Sequence, residues 1–146
     1  MTRFQWTFLA LVVAQAAHSV EEYAGRLWEG FPPARFVTGL IADDPETGFL
    51  VVNAAFVAFG LWCFGWPVRR RWPSAAALAW IWVVVELING IGHPAWSLYR
   101  GGYTPGVATA PVLLVLAAYL ARQLVGRSPS HGGNSLRPPR QELSAR

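Results

Sequence analysis

With 146 residues, 53% hydrophobic and only 14% charged, the chain falls well below the roughly one-quarter charge of soluble domains, which points away from an ordinary water-soluble fold. The net charge of +4 comes from basic residues that are all Arg and sit at the ends of apolar runs and near the C-terminus, a pattern of topology signals with no nucleic-acid-binding stripe. A single cysteine, Cys63, excludes an internal disulfide framework and any cysteine metal motif.

Four apolar stretches follow one another, at residues 4–23, 48–65, 74–93 and 105–125. Each is near the ~20 residues that a helix needs to cross a hydrocarbon core of ~30 Å. Nothing alternates in the manner of a membrane barrel, so helices are expected. Between them, residues 30–46, opening on Gly30-Phe31-Pro32-Pro33, read as a loop. Residues 66–73 read as a tight connection and Arg100-Gly101-Gly102 as a turn. From Arg127 onward Ser, Pro, Gly and Arg dominate, which reads as a disordered tail. The expected fold is all-α: a transmembrane bundle of four helices over residues 1–126, followed by a cytoplasmic tail over 127–146.

Arg placement gives the orientation. With four spans, Arg3, Arg69, Arg70, Arg71, Arg122 and Arg127 share one side. Arg26, Arg35 and Arg100 lie on the other, offset by Glu29, Asp43, Asp44 and Glu46. The positive-inside rule then puts both termini in the cytoplasm. A competing reading takes Arg3, the first apolar core and Ala14-Gln15-Ala16 as a cleavable signal peptide, leaving three spans.

Ionisable groups inside spans are costly and mark function by default. Gln15, His18 and Glu22 fall within about 60° of one another around the first helix, with Glu21 on the flank. Glu86, Asn89 and His93 do the same around the third. At 1.5 Å per residue, His18 and Glu22 lie roughly 21 and 27 Å from the start of their span, and Glu86 and His93 roughly 18 and 28 Å from the start of theirs. Asn53, a few residues into the second stretch, and Tyr103 and Thr109, near the start of the fourth, fall in the same outer layer. Convergence on one pocket is expected, with Trp82 deep enough to line it. For single residues the plainer readings are interfacial capping for Glu21 and Glu22, a helix terminus at His93-Pro94, and interhelical hydrogen bonding for Asn53 and Asn89.

His18-Ser-Val-Glu21-Glu22 at the end of an apolar helix resembles the motif that names the HXXEE family of small bacterial membrane proteins. Asn53, the Asn89-x-x-x-His93 spacing and Tyr103-Thr-Pro-Gly106-Val-Ala-Thr109-Ala after a Gly turn extend the resemblance over about residues 10–120. It implies the four-span architecture, a multi-pass location in a bacterial inner membrane, and one site built from the motif residues. It implies no particular reaction.

The residues themselves support two chemistries. His18, Glu22, Glu86 and His93 offer mixed nitrogen and oxygen ligands, suited to a divalent metal such as Zn, Fe or Mn. Without metal, Glu86 is the candidate general acid and His18 with Glu22 the paired base, with Glu21, Asn89 and His93 beside them. Gln15, Asn53, Trp82, Tyr103 and Thr109 are the expected pocket residues. Either chemistry fits an enzyme, isomerase- or cyclase-like or metal-dependent, acting on a small apolar or lipid-like substrate. The alternatives are a proton or cation transporter and a non-catalytic assembly factor. Membrane lipid is an expected partner and nucleic acid is not. No nucleotide loop and no nucleophile elbow is present.

Overall fold

Along α1 (Arg3–Ala24) the residues withdrawn from the surface include Phe4, Phe8, Leu11, Gln15, His18 and Glu22. The spacing of four, three, four, three, four is one face of an α-helix, and that face turns from apolar to polar at Gln15. A computed structural model describes residues 1–126. The tail expected from residue 127 lies outside the described residues.

Three further long helices complete the bundle: α4 (Pro45–Cys63), α5 (Ala75–Arg100) and α6 (Ala110–Val125). On α5 the inward stripe runs through Ala75, Ala79, Trp82, Glu86, Gly90 and His93, again apolar first and polar last. On α6 it is apolar throughout: Ala110, Leu113, Ala117, Leu120 and Leu124. α5 packs along α6, and α1 packs against both α6 and α4. Among the described residues there is no strand. The segments Pro45–Val68 and Ala75–Arg100 are long and apolar enough to cross a membrane, and Ala110–Val125 is apolar but shorter.

Hydrogen bonds at the two ends fix the helix directions. Near its start, the Gln5 side-chain amide of α1 donates to the carbonyls of Val68 (3.2 Å) and Arg69 (3.1 Å), just past α4. Thr7 accepts from Gln123, late in α6, at 2.9 Å. Near the other end of α1, Ser19 meets Asn53, early in α4, and His18 meets Thr109, just before α6. Thus α4 and α6 run antiparallel to α1. The core between the two ends is dry and includes Phe8, Leu11, Cys63, Trp82, Val83, Leu113 and Leu120.

Four boundaries differ from those expected. Residues 30–46 are not all loop: after the single turn α2 (Leu27–Gly30), Pro32–Gly39 forms α3. Its two prolines occupy the first helical positions, where the missing N–H costs nothing. Asp44 then caps α4 by accepting from the Thr47 N–H at 2.9 Å, and the Thr47 hydrogen bonds hold its carboxyl below the usual carboxylate range. The third apolar helix does not stop at His93. It passes through Pro94 to Arg100 and ends at Gly101, whose φ of 70° is the left-handed conformation of a helix C-terminus. The fourth helix begins only at Ala110, because residues 101–109 turn back across the end of the bundle. At the opposite end α4 runs on through a π-helical turn, Phe64–Val68, that takes in Pro67.

Candidate functional site

Where the inward stripes of α1 and α5 turn polar, they meet. One oxygen of Glu22, Oε1, lies 3.1 Å from Nε2 of His93 and 3.4 Å from Nε2 of His18. The two imidazoles stand edge to face with ring centroids 4.7 Å apart. All three residues are buried, and their donor atoms lie within 4.8 Å of one another.

The other ring nitrogens are already engaged, which sets the tautomers. His93 Nδ1 is 2.8 Å from the carbonyl of Pro105, an acceptor only, so Nδ1 carries the hydrogen. His18 Nδ1 is 2.7 Å from the Thr109 hydroxyl, whose own hydrogen goes to Glu21 Oε2 at 2.6 Å. Nδ1 of His18 is therefore a donor as well. In the neutral rings both Nε2 atoms then present lone pairs toward a carboxylate oxygen. The Nε2 of His18 is buried without any hydrogen-bond partner. Three acceptors so close together can share a cation, either a proton or a metal ion. The two Glu22–His spacings, 3.4 and 3.1 Å, suit a metal: bonds of ~2.05 Å in tetrahedral geometry place neighbouring ligand atoms ~3.3 Å apart. Histidines that donate their second nitrogen to a carbonyl or a carboxylate-linked group are the usual metal-ligating arrangement.

The two adjacent glutamates do different work because they point about 100° apart around α1. Glu22 faces the histidines, while Glu21 faces the 101–109 turn. Its carboxylate accepts from the Tyr103 hydroxyl (2.8 Å), from the N–H groups of Gly106 (3.1 Å), Ala108 (3.0 Å) and Thr109 (2.9 Å), and from the Thr109 hydroxyl. Glu21 thus clamps the turn that supplies the Nδ1 partners of both histidines. The same bond holds the Tyr103 phenol above its ordinary pKa, since losing its proton would set a phenolate against the Glu21 carboxylate.

Gly106 is what lets this turn approach. Its φ is +90°, and a Cβ there would lie 2.5 Å from Cε1 and Nδ1 of His93 and 2.9 Å from Cε1 of His18. In the sequence it enters through the family resemblance, within Tyr103-Thr-Pro-Gly106-Val-Ala-Thr109-Ala, with no sign of its closeness to the histidines. The preceding Pro105 carbonyl, Ser19 and Phe31, whose ring centroid lies 6.0 Å from that of His93, are likewise contributors that residue type alone does not reveal.

Below the His–Glu–His group lies a second polar layer. Asn89 donates to Glu86 Oε2 at 3.2 Å, and the Gln15 amide faces both Glu86 oxygens at 2.9 and 3.2 Å. That contact has two forms related by one proton: Gln15 nitrogen donating to a carboxylate, or a carboxylic acid donating to Gln15 oxygen. The other end of the Gln15 amide meets Ser19 at 3.1 Å, and Ser19 donates to Asn53 Oδ1 at 2.6 Å. Asn53 also donates to the Phe49 carbonyl, 3.1 Å away. The structure therefore brings Gln15, His18, Glu22, Glu86, Asn89, His93 and Thr109 together, with Asn53 joined through Ser19 and Tyr103 through Glu21. Glu86 stands outside the group of three, bonded to amides. Trp82 is the exception among the expected pocket residues. It has no exposed surface and stacks on Phe56 (centroids 4.5 Å apart), as part of the apolar core beneath the site.

This arrangement defines a class: an all-helical bundle with a buried His–Glu–His group at one end, two of its members on α1 and the third on α5. The family described as "Protein of unknown function with HXXEE motif" matches residues 9–121, and the chain belongs to it. No curated protein and no solved structure matches the chain.

Proposed function

We propose that the chain is a membrane-embedded metalloenzyme in which His18, Glu22 and His93 hold a divalent cation. The observation that carries this reading is the convergence of two imidazole lone pairs and one carboxylate oxygen, with both histidine tautomers fixed from behind. Two histidines and one carboxylate leave coordination positions open, the ligand count of catalytic zinc and of non-haem iron sites. The metal would polarise a substrate oxygen or activate water. Glu86, with Gln15 and Asn89, supplies a carboxyl one layer away that can give or take a proton. A small apolar or lipid-like substrate fits a site reached from a bilayer.

The membrane reading rests on four helices crossing, with both termini in the cytoplasm and residues 1–126 as the membrane domain. It is supported by the exterior of the bundle, where Val13, Val20, Leu50, Val51, Ile81, Val84, Ile88, Ile91 and Val115 are all exposed. α1 belongs to the bundle on this reading, because cleavage after Ala16 would remove Phe8 and Leu11 from the core. Conduction across the membrane is disfavoured by the fully buried apolar Phe8, Leu11 and Trp82, which lie beneath the site among the described residues.

The test is metal content by mass spectrometry on detergent-purified protein, with His18→Ala and His93→Ala alongside. Stoichiometric Zn, Fe or Mn that is lost in both variants is expected. Folded wild-type protein that takes up none of these metals on supplementation would overturn the metal centre and leave proton transfer by the same residues as the working mechanism.

A further inference from the structure

Beside the His–Glu–His group, at the same end of the bundle, lies a second feature with its own chemistry. A cavity of about 400 Å³ opens there, its walls including Arg26, Phe31, Trp96, Arg100, Tyr103 and Pro105. Its floor touches the site. Phe31 packs on the His93 ring, and Pro105 accepts the His93 Nδ1–H through its carbonyl. A molecule in this cavity is one residue layer from a proposed metal ligand.

The two arginines come from different parts of the chain. Arg26 sits at the junction of α1 and α2 in a left-handed backbone conformation, φ 53°, and Arg100 is the last residue of α5. The Arg100 guanidinium lies over the Trp96 ring at 5.8 Å. Glu29 also lines the cavity and pairs with Arg26 at 3.1 Å, but both side chains are more than half exposed, so the pair is weak and exchangeable. Glu21 is not free to neutralise the cavity, since it is fully engaged by the 101–109 turn. Two arginines among the lining residues give the cavity a basic character, and guanidinium groups are well matched to phosphate oxygens. Phe31, Trp96 and Tyr103 add the aromatic surface that favours an interfacial amphiphile.

We infer that this cavity binds a phosphate group, carried by a lipid-like substrate whose head sits between Arg26 and Arg100, with Phe31 and Pro105 between it and the His18–Glu22–His93 site. The inference deepens the proposed function and rests on it for the word substrate; the anion site itself does not depend on the metal.

The experiment is a tryptophan-fluorescence titration of detergent-purified protein with dihexanoyl phosphatidic acid, and separately with dihexanoyl phosphatidylcholine and inorganic phosphate. Saturable binding of the phosphatidic acid is expected, weakened roughly 10- to 100-fold in the Arg26→Gln/Arg100→Gln double variant, as for the loss of charge-assisted hydrogen bonds. Both side chains are solvent-facing, and an unchanged thermal midpoint will show that the variant is folded. Equal affinity in the double variant, or no saturable binding in wild type, would overturn the site. Inorganic phosphate or the zwitterionic lipid binding as tightly as phosphatidic acid would overturn the anionic lipid assignment. The same titration in His93→Ala separates the two proposals: phosphatidic acid binding retained there, with metal lost, shows an anion site independent of the metal centre.

Discussion

The Nε2 of His93 lies 3.1 Å from Oε1 of Glu22, and with His93 Nδ1–H committed to the Pro105 carbonyl both atoms are acceptors when the ring is neutral. Such a contact is favourable only with a cation, a proton or a metal ion, between them. Glu22→Gln exchanges the carboxylate for an amide that can donate to the histidine. We expect this variant to lose metal while its metal-free form matches or exceeds metal-free wild type in thermal midpoint, by an amount near the ~1 kcal/mol of one satisfied hydrogen bond. Metal analysis and unfolding in detergent with chelator read both quantities. Wild-type metal content in Glu22→Gln would remove Glu22 from the ligand set.

Thr109 relays Glu21 to His18, accepting from the imidazole and donating to the carboxylate. Thr109→Val keeps the shape and removes the relay, so metal affinity is expected to fall about 10- to 100-fold, as is usual when the partner of a metal-ligating histidine is lost. Thr109→Ser restores the hydroxyl and is expected to recover most of that affinity. A competition titration against a chromophoric chelator measures it. If valine and serine behave alike, the hydroxyl plays no part in metal binding.

Glu86 is held by amides from two helices, Gln15 on α1 and Asn89 on α5. An amide at position 86 can satisfy both neighbours, whereas leucine strands them. Glu86→Gln is therefore expected to keep the wild-type thermal midpoint and metal content while abolishing turnover once a substrate is found. Glu86→Leu is expected to lose about 1–3 kcal/mol for each buried polar group left unpaired. Loss of metal in a folded Glu86→Gln protein would instead make Glu86 a ligand.

Much of this site can be read from helical spacing, because His18 with Glu22 and Glu86 with His93 share faces by arithmetic alone, and depth places both pairs in one layer. Spacing also puts Glu22 on the stripe with His18 and Glu21 on its flank, as found. It does not reveal what Glu21 meets, because that depends on where the 101–109 turn lies. Proline misleads in both directions. Pro32 and Pro33 start a helix where a loop is expected, since the first turn needs no N–H from them, and Pro94 is carried within α5, where a terminus at His93 is the simpler reading. Trp82 is deep enough to line a pocket, but depth does not distinguish a pocket wall from core, and Phe8 and Phe56 close over it.

Gly106 offers the sharpest test of how the turn builds the site. Alanine there must adopt φ near +90° and place its Cβ 2.5 Å from the His93 ring, while Gly92, on the same helix as His93, has open space around the position of a Cβ. Gly106→Ala is expected to cost about 1–3 kcal/mol from overpacking, with backbone strain in addition, and to lose metal as both imidazoles are displaced. Gly92→Ala, in a helix interior, is expected to stabilise by about 0.5–1 kcal/mol and leave metal untouched. Thermal unfolding in detergent and metal content, measured on the two variants side by side, separate a local steric requirement at the site from a general sensitivity of the bundle to added methyl groups. Equal effects of the two substitutions would mean that the close approach of residue 106 to the histidines does not shape the site.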